Sequence, residues 1–376
     1  MAGTFLTGPQ IAALRLQTLG IVAGEARTPV DVVRHLLALQ AQDFTASRWV
    51  IGCRADGADE QAIFDAFDSG QIVRSWPMRG TVHVTMAEDM PWMLDLAGVR
   101  TLSPSTLRRR WASLGIDEAR LERSREIAVE LLRGGRSATR PEFTQTLIDA
   151  GIETSGSTAY HTVWYLSQTK TLVHGPTRDG EPTLVLLDEW IPSPRVLGRD
   201  DALRELVTRY LGSHGPATVE DIVWWSGLTK GDIRRGIEAA GEELVPVTHA
   251  TTGAALLMTA EARDRYDPDP KLVARQAFAL TAFDEHLLGF ANRDDVLDRA
   301  LAPAIDPARN GMFRPTIVHG GRVVATWKAT RRARGMQVDV TALTPLSAAA
   351  LKRATAALDR WSTFRGQELL AVKLVS

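Results

Sequence analysis

The chain has almost no cysteine, no long apolar run and no surplus of positive charge, and each absence removes a class of protein. Its single cysteine, Cys53, excludes an internal disulfide and a cysteine-built metal site. No apolar stretch approaches the ~20 residues that a membrane-spanning helix needs. The opening segment, MAGTFLTGPQIAALRLQ, lacks the charged start, apolar middle and small-residue cleavage site of a secretion leader. A soluble, cytoplasmic protein is expected. Lysine and arginine total 44 against 45 acidic residues, a formal charge of −1, whereas an indiscriminate polyanion binder is usually basic overall. A basic face can still be gathered from clusters. Two are available: Arg108, Arg109 and Arg110 in LRRRW, and Arg331, Arg332 and Arg334 in TRRARG. Taken alone, each reads more readily as a solvated face than as a phosphate contact.

What is present is a globular chain of 376 residues, 44% of them hydrophobic, long enough for two to four domains. One order of elements repeats three times: three helices, then two short strands around a tight turn. The clearest copy is the third. DDALRELVTRYLGSHG is an amphipathic helix ending in glycine, and ATVEDIVWWSGL opens with Thr218 and, three residues later, Asp221, in the manner of a capping box. TKGDIRRGIEAAG follows, and LVPVTH and ALLMTA then flank ATTGA as a hairpin. Three helices and a hairpin are the parts of a winged helix. The second copy runs from EARLERSREIAVELLRGG to LVHGP and TLVLL, and the first from GPQIAALRLQTLG to IVRSWPM and TVHVTM.

From about residue 270 the segments turn β-rich, with His319-Gly320-Gly321 as a turn. An alanine-striped helix, SAAALKRATAALDRWSTFRG, and a strand, ELLAVKLV, close the chain. The expected fold is α+β: winged helices at residues 1–100, 101–198 and 199–268, followed by a β-rich domain with a terminal helix at 269–376.

Within the first copy, HLLALQAQDF places two glutamines at the exit of an apolar helix. Thr28 can cap that helix, Pro29 suits its first position, and Val30, Val33, Leu36 and Leu37 form its buried face. Successive helical residues point about 100° apart, so Gln40 and Gln42 can meet only if the chain leaves the helix between them. Asp43 and the scarcity of strong helix formers beyond it allow that. The bland alternative is a pair of polar residues finishing a helix.

LLALQAQD, SWPMRGTVHV, FDEHLLGF and NGMFRPTIVHGGRVVATWK together resemble the AlkZ/YcaQ family of bacterial DNA glycosylases, in order and from about residue 10 to the end. The resemblance implies three tandem winged helices and a β-rich module curving around duplex DNA as a monomer. It implies removal of N7-alkylated purines without cofactor or metal, with bulky or crosslinked natural-product adducts and self-resistance as extensions. In that family the catalytic motif is Gln, an apolar residue, then Gln or Asp. Here it reads Gln40-Ala41-Gln42, the AlkZ-like form, which makes Gln40 and Gln42 the catalytic candidates.

Other residues carry two readings each. Arg79 and His83, four apart, would share one strand face and contact phosphate, or be a surface arginine and a satisfied histidine. Arg331 and Arg332 are further DNA-binding candidates. Asp284, Glu285 and His286 in FDEHLLGF invite a metal, but three adjacent residues cannot all point at one ion. The resemblance instead puts Asp284 and His286, with Asp43, near the DNA-facing cleft. Trp224 and Trp225 read as core, or as a stacking platform. The competing function is a winged-helix transcription regulator without catalysis, for which GSTAYHTVWYLSQTK and TKGDIRRGIEAAG are the recognition-helix candidates.

Overall fold

A computed structural model describes residues 4–22, 27–308 and 311–375. Of the motif segments above, only Asn310 lies outside them. The chain mixes helices with antiparallel and parallel strand pairs. It divides into two compact units, one comprising Phe64–Ala202 and the other the residues up to Ile63 together with those from Leu203 onward.

Local chemistry explains where most helices start. Thr28, Thr139, Thr218 and Thr229 each accept a hydrogen bond from the backbone three residues later, while an acidic side chain at that third position bonds back. Each pair satisfies amide donors that a helix start leaves unpaired. The hairpin turns are equally local. Arg79-Gly80, Asp179-Gly180 and Gly320-Gly321 all have positive φ, between 53° and 85°, as two-residue turns matched to strand twist require.

In the unit spanning Phe64–Ala202, the strands Thr81–Met86, Ile72–Met78, Leu172–Arg178 and Glu181–Leu186 lie side by side in that order, all antiparallel. Val73, Val173 and Val185 pack with Met90, Leu94 and Ile191 to form its core. The other unit holds two sheets. Thr4–Leu6 pairs parallel to Leu244–His249, which pairs antiparallel to Ala255–Thr259. The larger sheet orders its strands Leu369–Val375, Gly335–Ala342, Arg322–Arg332, Thr316–His319 and Ala277–Leu280. Helix Ala348–Phe364 covers it, with Trp361 edge-on to Trp327 at 4.8 Å.

Two elements depart from the sequence reading, and both position the glutamines. The helix Pro29–Leu36 stops before the motif: Leu37 takes φ 65° and Ala38–Gln40 is a short strand. Leu36, Leu37, Ala38 and Leu39 are all fully buried, which a helix with a single apolar face cannot achieve for four consecutive residues. The chain therefore leaves the helix ahead of both glutamines rather than between them. Beyond them Phe44–Gly52 is a helix, capped by Asp43, whose carboxylate accepts from the Ala46 amide at 2.9 Å. Nearly every residue of that helix is buried, so tertiary packing overrides its modest propensity.

Candidate active site

Gln40 and Gln42 do meet. The Gln40 side-chain Nε2 donates to Gln42 Oε1 at 3.1 Å. In the extended backbone after Leu37 the two residues are no longer separated by a helical rotation, so their amides can lie against each other. Gln40 is buried to 6% exposure while Gln42 is open to solvent. The contact leaves acceptor capacity on both carbonyl oxygens, since each has two lone pairs.

Behind this pair stands Glu285, which the sequence reading weighed only as part of a discounted metal cluster and gave no role of its own. The Glu285 carboxylate, 1% exposed, accepts the Gln40 backbone N–H on Oε1 at 3.1 Å. Its Oε2 accepts Trp225 Nε1–H at 3.0 Å and lies 3.4 Å from His214 Nε2. His214 in turn stacks on Tyr210 at 4.6 Å, and its Nδ1 contacts the Ser213 hydroxyl at 2.8 Å. Gln40 is therefore held from its own main chain by a buried carboxyl group that is itself fixed by Trp225. Nothing local in the sequence marks this role, because the contact spans 245 residues.

The neighbours of Glu285 have other tasks. Asp284 grips Arg54 with both oxygens at 2.8 Å, and both side chains are buried. Burial pulls the Asp284 carboxyl up, but the Arg54 guanidinium and its hydrogen bonds outweigh that and hold it below the usual range. Asp284 also caps the short helix Glu285–Leu288. His286 is fully buried, and neither ring nitrogen has a hydrogen-bond partner among the described residues. Burial drives its pKa down to about 4 against the pull of Asp284, so its ring is neutral near pH 7. Asp284 and Glu285 thus serve separate partners, and the His286 ring hydrogen-bonds to none of the described residues. Among the described residues no cluster of three or more metal-ligating side chains occurs.

Asp221 ties the tryptophan helix to the same region. Its Oδ1 accepts the Ala291 and Asn292 amides at 2.8 and 3.1 Å, and its other oxygen lies 3.7 Å from Arg15. Trp225 is fully buried as expected of core, but Trp224 is 44% exposed, and its Nε1–H donates to the Leu288 carbonyl at 3.2 Å.

The proposed DNA-binding residues fall in two places. In the unit spanning Phe64–Ala202, Arg79 occupies the hairpin turn rather than a strand, so the shared strand face does not apply. His83 is fully buried, with Nδ1 at 2.9 Å from the Thr81 carbonyl. In the other unit, Arg331, Arg332 and Arg334 are exposed at the tip of the Arg322–Arg332/Gly335–Ala342 hairpin.

A site built on two neutral amides suits hydrolysis of a bond whose leaving group is already activated. The chain is an enzyme of the DNA glycosylase class, a hydrolase of N-glycosyl bonds. It belongs to the AlkZ-like DNA glycosylase family, whose sequence profile matches residues 33–364. The interstrand DNA cross-link repair glycosylase of Streptomyces sahachiroi is 27% identical over 340 residues, which cover 85% of this chain and 87% of that protein. The solved structure of the Streptomyces sahachiroi DNA glycosylase AlkZ has the same fold, with a TM-score of 0.79 at 23% identity over 99% of this chain and 100% of that one. Among the described residues no helix is long and apolar enough to cross a membrane.

Proposed function

We propose that this enzyme is a monofunctional glycosylase that releases N7-alkylated purines, guanine first, from duplex DNA. The observation that carries the reading is the 3.1 Å contact between a buried, anchored Gln40 and an exposed Gln42. Alkylation at N7 gives guanine a positive charge, so the base departs neutral and needs no general acid. What remains is to hold a water at C1′ and stabilise an oxocarbenium-like sugar. Amide oxygens do this by position and dipole, without strong basicity. Gln40, fixed by Glu285, is the rigid member, and Gln42 is the member that reaches substrate.

The name of the Streptomyces sahachiroi relative extends the candidate lesions to crosslinked and bulky adducts, and self-resistance to a genotoxic metabolite is the corresponding physiology. The helix and hairpin order supports three winged-helix units, and the enzyme is read as acting on DNA as a monomer. Arg79 and the Arg331–Arg332 tip are its phosphate contacts, while the burial of His83 suits support of its strand better than a direct contact. Incubation with an N7-methylguanine duplex followed by alkali tests the reading: strand breaks at the lesion are expected. Intact strands together with tight binding to one operator sequence would favour the regulator.

A further inference from the structure

The unit that carries the glutamines has a cleft of about 910 Å³, with an aromatic and cationic wall. Trp224, at 44% exposure, lines it together with Phe313 and Arg293. The Arg293 guanidinium carbon lies 5.5 Å from the Trp224 ring centroid and 5.1 Å from that of Phe313. Leu297 and Ile305 complete an apolar floor.

This wall is bonded directly to the helix that anchors Gln40. Arg293 Nε–H donates to the Leu287 carbonyl at 2.5 Å, and Trp224 Nε1–H to the Leu288 carbonyl at 3.2 Å. Both carbonyls belong to the turn Glu285–Leu288, whose first residue holds the Gln40 amide. Trp224 is therefore fixed by its edge while much of its surface stays open. Its neighbour Trp225 is wholly buried and bonded to Glu285. The adjacent tryptophans thus split between anchor and open face, and a core-only account covers just the first.

We propose that this cleft binds a planar aromatic group of the DNA substrate by stacking it on Trp224, with Arg293 presenting its cation beside the ring. This rests on the glycosylase reading above and adds a specificity subsite to it. Aromatic rings are favoured partners for such a platform because every base or polycyclic ring offers a π-face, whatever its hydrogen-bonding edge. The group can come from a nucleobase displaced beside the lesion or from the ring system of a bulky adduct, and the chemistry of recognition is shared.

The test is an equilibrium-binding measurement, so it stands apart from whether excision is observed. Three duplexes of one sequence are compared by anisotropy: unmodified, with pyrene replacing one base, and with pyrene tethered to a pyrimidine C5 so that it projects into the groove. The wild type should prefer at least one pyrene duplex by about tenfold, in keeping with base–aromatic stacking. Preference for the base replacement identifies a displaced base as the source, and preference for the tethered ring identifies an adduct. Trp224→Ala should bring the ratio close to one. Trp224→Phe, which keeps a stacking ring but loses the bond to Leu288, should retain most of it. Equal wild-type affinity for all three duplexes overturns the proposal. So does equal loss in the Ala and Phe variants, because Trp224 would then act only by holding the turn.

Discussion

Two groups of residues lie one hydrogen bond apart and could hardly differ more. Gln40 and Gln42 are neutral and touch each other at 3.1 Å, and Gln42 reaches the surface. Asp284, Glu285 and His286 are titratable, adjacent and buried. By residue type the triplet has the more reactive chemistry, yet its partners are structural: an arginine, a backbone amide and an indole. Charge placed in the interior fixes position, and on the function proposed above the reaction is left to groups that cannot ionise. That division suits a substrate whose base already carries the activating charge.

The comparison can be attacked from the buried side first. Arg54→Met would leave Asp284 as an unpaired buried carboxylate and should cost about 3–5 kcal/mol of stability, read by denaturant unfolding. The same interior makes the protein acid-sensitive. The unfolded chain protonates its histidines near pH 6.5, whereas folded His286 takes a proton only at about 4, so stability should fall as pH drops between those values. Asp284, held low, adds a further loss below the usual carboxylate range.

Glu285→Gln separates anchoring from chemistry. The amide keeps the shape, but with one oxygen and one NH₂ it cannot accept from both the Gln40 amide and Trp225 in the same way. Excision should slow by about tenfold with DNA affinity little changed, the scale of one lost buried hydrogen bond. A wild-type rate in this variant would detach the buried triplet from the reaction.

Gln42→Asp tests the neutrality of the pair. A carboxylate holds water more strongly, but if partly desolvated its pKa rises towards the working range. Measurable excision is expected, well above Gln42→Ala, with a pH dependence that the wild type lacks. Equal, pH-independent loss in the Asp and Ala variants would leave only Gln40 to position the nucleophile.

The smallest effects belong to the half-buried Arg79 and the exposed Arg331 and Arg332. Arg79→Ala, Arg331→Ala and Arg332→Ala should each reduce the slope of log affinity against log salt by about one, with Arg79 contributing first. Affinity that stays flat between low and moderate salt would remove them as phosphate contacts.

Much of this was legible because it is local. Thr28-Pro29, Thr218 with Asp221, and the Gly320-Gly321 turn announce helix starts and a hairpin through backbone chemistry within four residues. The Gln-Ala-Gln motif was legible as a candidate through its resemblance to a family. Its geometry was not, since burial of Leu36–Leu39 ended the helix early and capping by Asp43 began another that propensity alone does not favour. Glu285 was hidden for a different reason. Its partners are Gln40, His214 and Trp225, and no periodicity encodes contacts between segments so far apart. The two tryptophans show the same limit: adjacent in sequence, they differ in burial because one turns towards Glu285 and the other towards the cleft.

If two amides carry the reaction, their loss must show in single-turnover excision of N7-methylguanine. Gln40→Ala and Gln42→Ala should each slow release by roughly a hundredfold, the scale of losing one preorganised polar group at a reacting centre, while unfolding midpoint and DNA affinity stay near wild type. Wild-type rates in both variants would contradict the assignment outright.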